Sequence, residues 1–426
     1  MIDRKIAPST KLISTVDFVK AQKITLANNT PLYSINAGSQ DLIKIEWLFD
    51  AGSRFNEQHL TANAANSLLK EGTKKMKSSE IAEKIDYYGA FLETECNKDS
   101  ASVTLYSLNK HLPSTLPVVE DILKNAIFSE HEFDVYKQNS KQKLLVNNQK
   151  VDVLVRNHFN EIIFGKEHPY GVITQANDYD ALQKTSIGNF YSQFYQASNC
   201  KIIVAGLVKD DTLKLIESYF GGNDWVGKTS VKKETIAPTK VDKKQHLILK
   251  EDAVQSAIRI GKILFNKTHP DYFGMQVLNT ILGGYFGSRL MNNIREDKGY
   301  TYGIGSAIAS MQQGGYFFIS TEVGVDVCQL AIDEIYLEIK KLRDELVPED
   351  ELELVRNYLL GTFIRSIDGA FALAEKFDSM LEYGLDYSYY DNYLHTIRTI
   401  TPAQLRDLAN KYLQQDELIE VVVGKK

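Results

Sequence analysis

NCKIIVAGLV at Asn199–Val208 and LIEVVVGKK at Leu418–Lys426 share one signature: a run of mostly apolar and β-branched residues closed by a glycine. The closing glycines, Gly206 and Gly424, stand 218 positions apart. Other pairs keep nearly the same offset. Glu132 of SEHEFD and Glu351 of PEDELE are 219 apart, and Gly89 and Gly299 are 210 apart. Repeat units of about 20–50 residues build solenoids, so a period above 200 means two duplicated domains.

The order of elements supports the duplication. Ile43, Ile45, Trp47 and Phe49 alternate as a half-buried strand does, and Ile258 and Ile260 do the same early in the second half. A helix follows each. Strands are then expected at Ala101–Ser107 and Tyr316–Thr321, followed by helices, with Ile332, Ile335, Ile339 and Leu342 at three-and-four spacing. Between the halves, GGNDWVGKTSVKKETIAPTKVDKKQ (Gly221–Gln245) has neither period and reads as a linker. The expected organisation is residues 1–222 as a first domain, 223–245 as linker and 246–426 as a homologous second domain. Each is α+β, a mainly antiparallel sheet with helices packed on one face.

The 426 residues suit two large domains, and 43% hydrophobic with 24% charged residues are ordinary globular values. A net charge of −6 with interleaved lysines gives no basic surface for nucleic acid or anionic membrane. Cys96, Cys200 and Cys328 are too far apart in sequence for a paired framework or a cysteine zinc cluster, and read as free thiols. The start, MIDRKIAPSTKL, lacks the apolar core of a secretory signal, and no run of about 18 apolar residues occurs. As given, the chain reads as cytoplasmic; a periplasmic location would require a signal trimmed ahead of position 1.

Several strings carry a family resemblance. AGSRFNE at Ala51–Glu57, LLKEGTKK at Leu68–Lys75, GAFLE at Gly89–Glu93 and HPYG at His168–Gly171 resemble the catalytic domain of insulinase/pitrilysin zinc peptidases. LGGYFGSRLMNNIREDKGYTYGIGS at Leu282–Ser306 is the most family-specific segment, and the likeness spans nearly the whole chain. The resemblance implies one half of a clamshell. Active members carry an inverted His-x-x-Glu-His on the helix before the Gly-Thr pair: two His hold zinc and Glu takes a proton from the metal-bound water. Counting back from Gly72 and Thr73, those places hold Asn63, Asn66 and Ser67, and the third ligand's place falls near Lys143. An amide cannot act as the base, and a lysine repels a cation. The eight histidines offer no replacement pair at helical ligand spacing. His158 and Glu161 read as a surface pair and His59 as an ordinary exposed histidine. No metal is therefore expected in this chain.

Family members also carry Ile-Arg-Glu-x-x-Gly-x-x-Tyr, here Ile294, Arg295, Glu296, Gly299 and Tyr302. By resemblance, Arg295 and Tyr302 bind a peptide carbonyl at an active site whose zinc a partner chain holds, Arg through its fork of donors and Tyr through its hydroxyl. Read from spacing alone, Arg295 is a helix-end arginine paired with Glu296 or Asp297 and Tyr302 a half-buried strand tyrosine. Gly283, Gly284 and Gly287 read as a turn entering a helix; their spacing is not that of a phosphate cradle. The expected role is the non-catalytic subunit of a heterodimeric zinc peptidase, paired with a zinc-bearing homologue and acting on peptides, with a homodimer open to it in isolation. The alternative is a catalytically silent structural protein of the same fold, like the core proteins of respiratory complexes.

Overall fold

The computed structural model describes residues 16, 18–227 and 235–426. The opening segment read for a signal, up to residue 15, and the middle of the expected linker, residues 228–234, lie outside the described residues.

The strands form two sheets, one from each half of the chain. The first holds β1 (Gln22–Thr25), β2 (Pro31–Asn36), β3 (Leu42–Phe49), β4 (Phe91–Cys96), β5 (Ala101–Leu108) and β6 (Cys200–Gly206), in the order β1-β2-β6-β3-β5-β4. The second holds β7 (Gln245–Leu249), β8 (Gln255–Leu264), β9 (Ile304–Met311), β10 (Gly314–Gly324) and β11 (Ile419–Gly424), in the order β7-β11-β8-β10-β9. Apart from β1 the orders superimpose. In each sheet one pair is parallel, β2 with β6 and β7 with β11, and every other pair is antiparallel. The reason is common to both. The closing strand arrives after a long helical excursion and can run beside the opening strand in the same direction, which a tight hairpin cannot do.

The paired glycines have matching backbones. Gly206 has φ 133° and Gly424 has φ 132°, while Gly89 and Gly299 have φ 60° and 66°. A Cβ on Gly206 would stand 2.2 Å from the Leu42 carbonyl oxygen, so a side chain is excluded by space as well as by φ. Glu132 and Glu351 likewise fall in the first turns of corresponding helices, Glu130–Asn147 and Glu349–Arg365.

Ile43, Ile45, Trp47 and Phe49 are fully buried under the first half's helices, and Ile332, Ile335, Ile339 and Leu342 seal the second sheet from the helix Cys328–Asp344. The halves also exchange a helix. Ala370–Leu381, from the second half, covers the far face of β2 and β6, with Phe377 against Tyr33 at 5.0 Å. Val151–Phe164, from the first, covers β8 and β11, where Phe159 and Phe164 meet Tyr316. The central strands of both sheets are thereby covered on two faces, which explains why even Lys44 and Glu46 on β3 are inside, paired at 3.0 Å. Burying one large aromatic contributes about 1.5–3 kcal/mol, so the exchange holds the halves together. The expected linker is partly structural: Trp225 packs on Phe220 in the first core, and Gln245 already belongs to β7. No helix among the described residues is long and apolar enough to cross a membrane.

Candidate functional site

The helix Thr61–Leu68 lies between the first sheet and the helix Lys184–Phe194, which buries Ala62, Ala65 and Leu68. Asn66 sits on the same inward face and is buried; its Nδ2 donates to the Ser102 carbonyl at 3.1 Å and to the Tyr195 hydroxyl at 3.1 Å. Burial pushes the Tyr195 phenol well above its ordinary range, so the hydroxyl stays protonated. Asn63 and Ser67 are half-buried one turn apart, and Lys143 is exposed on the helix Glu130–Asn147. A metal base position needs a proton acceptor facing the ion. Asn66 turns two donor hydrogens inward, Lys143 carries a positive charge, and Asn63 and Ser67 offer neutral oxygens in place of imidazoles. This donor set does not fit zinc. Among the described residues no three His, Cys, Asp or Glu side chains converge as a metal site requires.

Two readings of individual histidines fare differently. His158 pairs with Glu161 at 3.6 Å, each partly exposed, as the spacing suggests. His59 is not fully exposed. Its Nε2 lies 2.9 Å from the Thr174 hydroxyl, and burial lowers its pKa below the ordinary value. Cys200 and Cys328 are buried free thiols, and burial pushes the half-buried Cys96 up to about 12.

The strings AGSRFNE and HPYG meet at a place that spacing could not reveal. Arg54 Nε stands 2.9 Å from the Asp99 carboxylate, the Tyr170 hydroxyl donates to Asp99 at 2.5 Å, and the Gln312 amide donates to it at 2.9 Å. Gln312 belongs to the second half, so these strings form a buried clasp between the domains. Gly52 is part of it, because a Cβ there would lie 2.5 Å from the Asp99 backbone.

Arg295 and Tyr302 flank a tight reversal. Thr280–Gly284 and Met291–Asp297 are both wide π-type helical turns, rare forms that often mark functional positions. The second ends where the Gly299 amide donates to the Arg295 carbonyl at 3.1 Å and the Tyr300 amide to Ile294 at 3.0 Å, closed by the left-handed Gly299. The Arg295 guanidinium lies over the Phe286 ring at 4.7 Å and 3.4 Å from the Glu296 carboxylate. Tyr302 precedes β9 and is 94% exposed, and among the described residues its hydroxyl has no hydrogen bond. Its neighbours hold it out. The Thr301 hydroxyl donates to the Glu322 carbonyl at 2.7 Å and accepts from the Thr321 hydroxyl at 2.9 Å and the Gly303 amide at 3.1 Å. Tyr302 is thus neither half-buried nor in a strand, and its hydroxyl does not meet the guanidinium. It borders a polar cavity of about 280 Å³ lined also by Gln255, Asp152 and Glu322, the last with its pKa raised by burial and then by Asp152. Thr301 and Thr321 escape a sequence reading because their role is set by strand pairing across twenty residues.

Comparison with known proteins agrees with this anatomy. Residues 33–174 match the model of insulinase, peptidase family M16, and residues 181–359 match that of the peptidase M16 inactive domain. An uncharacterized zinc protease of Bacillus subtilis is 23% identical over 350 residues, spanning 81% of this chain and 82% of the relative. One of Rickettsia felis is 23% identical over 410 residues, spanning 90% and 92%. Among solved structures, a protease from Helicobacter pylori has a TM-score of 0.88 at 18% identity, covering 96% of this chain and all of that one. The peptidase M16 inactive domain from Pseudomonas fluorescens has a TM-score of 0.85 at 20% identity, covering 95% and 98%. With both halves matched in order, the chain belongs to the insulinase/pitrilysin (M16) peptidase family, and its sequence holds no inverted His-x-x-Glu-His zinc motif.

Proposed function

We propose that this chain is the non-catalytic subunit of a heterodimeric zinc peptidase, closing half of a chamber around a peptide and lending Arg295 and Tyr302 to the site of a zinc-bearing homologue. The observation that carries the reading is Tyr302: a 94% exposed tyrosine on a loop whose flanking residues are tied down. Such a side chain pays no packing role in its own chain. Arg295 and Tyr302 supply donors for a carbonyl oxygen that gains negative charge during attack, and the zinc belongs to the partner. The name zinc protease among the relatives is in keeping with this.

The test is a complex of this chain with its zinc-bearing homologue. Tyr302→Phe removes one oxygen and little volume, and should lower peptide turnover on the order of 10²-fold while melting and pairing stay unchanged. Arg295→Ala should act in the same direction. The scaffold reading has one observation in its favour, that Arg295 already has Glu296 and Phe286 as local partners. Unchanged turnover in both variants would establish it instead.

A further inference from the structure

β7 is an edge strand with a history in the repeat. Its counterpart in the first sheet, β2, carries β1 on its outer edge, antiparallel, with Thr25 opposite Pro31 and Gln22 opposite Ser34. Among the described residues no strand occupies the corresponding edge of β7, which pairs only with β11. Gln245, Leu247 and Leu249 alternate onto one face of β7 and are exposed, the two leucines at 51% and 61%. Unpaired amide and carbonyl groups beside exposed leucines form a template for an added strand.

At the start of β7 the same face opens into a cavity of about 730 Å³, bounded by Lys243, Lys244, Gln245, Tyr336, Arg343 and Asp416 among others. Among the described residues neither Lys243, Lys244 nor Arg343 has an ion-pair partner. Lys244 Nζ reaches the Val241 carbonyl, at 3.3 Å, and Arg343 Nε is buried without a hydrogen bond among the described residues. Three cations stand against one acid, Asp416, among the lining residues, and even with Asp344 next to Arg343 the positive charges are in excess, so the cavity suits an anion. The chain's own undescribed segments are poor complements. Residues 1–15 carry Arg4, Lys5 and Lys11 against Asp3, and residues 228–234 carry Lys228, Lys232 and Lys233 against Glu234.

We propose that the outer edge of β7 and this basic cavity form one docking site for an extended segment of a partner polypeptide whose C-terminal end is acidic. Added antiparallel, as β1 is to β2, such a segment ends beside Gln245 and delivers its carboxylates to Lys243, Lys244 and Arg343. Its preceding alternate apolar residues lie on Leu247 and Leu249. Main-chain hydrogen bonds supply affinity, and the cavity sets direction and register.

The probe is a short labelled peptide of alternating valine and threonine ending in two glutamates, measured by fluorescence anisotropy on the whole chain. Its counterpart has the same composition with the glutamates first. The first peptide should bind and the second should bind more weakly. Lys243→Ala with Lys244→Ala and Arg343→Ala should weaken the first on the order of tenfold with unchanged melting, as several partly exposed ion pairs are lost. Leu247→Ser with Leu249→Ser, which leaves the cations in place, should weaken it independently. Equal binding of both peptides, binding indifferent to the substitutions, or no binding overturns the proposal. So does concentration-dependent self-association abolished by the same substitutions, which would assign the edge to a second copy of this chain.

Discussion

Asn66 donates through Nδ2 to the Tyr195 hydroxyl at 3.1 Å, inside the first domain's core. The residue that falls at the general-base place on counting back from Gly72 and Thr73 is a packed hydrogen-bond donor, supporting the Ser102 carbonyl on β5 as well. Asn66→Glu should therefore destabilise the chain by on the order of 3 kcal/mol, since it removes a donor from the Ser102 carbonyl and buries a carboxylate. Chemical denaturation measures this. The wild-type chain, dialysed against trace zinc, should show no stoichiometric metal by elemental analysis, and one tightly held equivalent would contradict the alignment of this helix.

Thr301 holds the loop that presents Tyr302. Thr301→Val keeps the shape and removes the hydroxyl that ties the loop to Glu322 and Gly303. In the complex with the zinc-bearing homologue, turnover should fall by on the order of tenfold with little change in melting, and Thr301→Ser should restore it. If Thr301 serves stability alone, melting will drop while the turnover of the folded fraction stays level.

Asp378 gives the interface between the halves a pH dependence. Burial pushes its carboxyl up to about 8, helped by Glu46 and Glu382 and opposed by Lys44 and Lys201. A folded pKa above the unfolded value makes this group's contribution full below about pH 4, eroding as pH rises toward about 8 and level beyond. Asp378→Asn should flatten the fall in melting temperature over that window and be the more stable protein at pH 8, by on the order of 1–2 kcal/mol. A wild-type stability that rises across the same window would contradict the protonated carboxyl.

Much of the fold was legible because it rests on local signals. Ile43, Ile45, Trp47 and Phe49 alternate, Ile332, Ile335, Ile339 and Leu342 recur at helical spacing, and both sets are buried where the pattern puts them. Gly206 and Gly424 could be matched by offset because each must leave its strand with a φ only glycine takes easily. His59 and Tyr302 went otherwise. Exposure depends on which distant chain arrives: Thr174 reached His59, and nothing among the described residues reached the Tyr302 hydroxyl.

Residue types alone say that the chain is a duplicated α+β protein of an insulinase-like kind without the family's inverted zinc motif. Those are statements about residue types at fixed spacings. That the two halves trade the helices Val151–Phe164 and Ala370–Leu381, and that Arg54, Asp99, Tyr170 and Gln312 close a clasp between them, is set by packing between distant elements. Packing also leaves the Tyr302 hydroxyl without a hydrogen bond among the described residues. Periodicity specifies which face of an element is apolar, but not which of several apolar faces will meet it; that choice is made by shape complementarity among elements hundreds of residues apart.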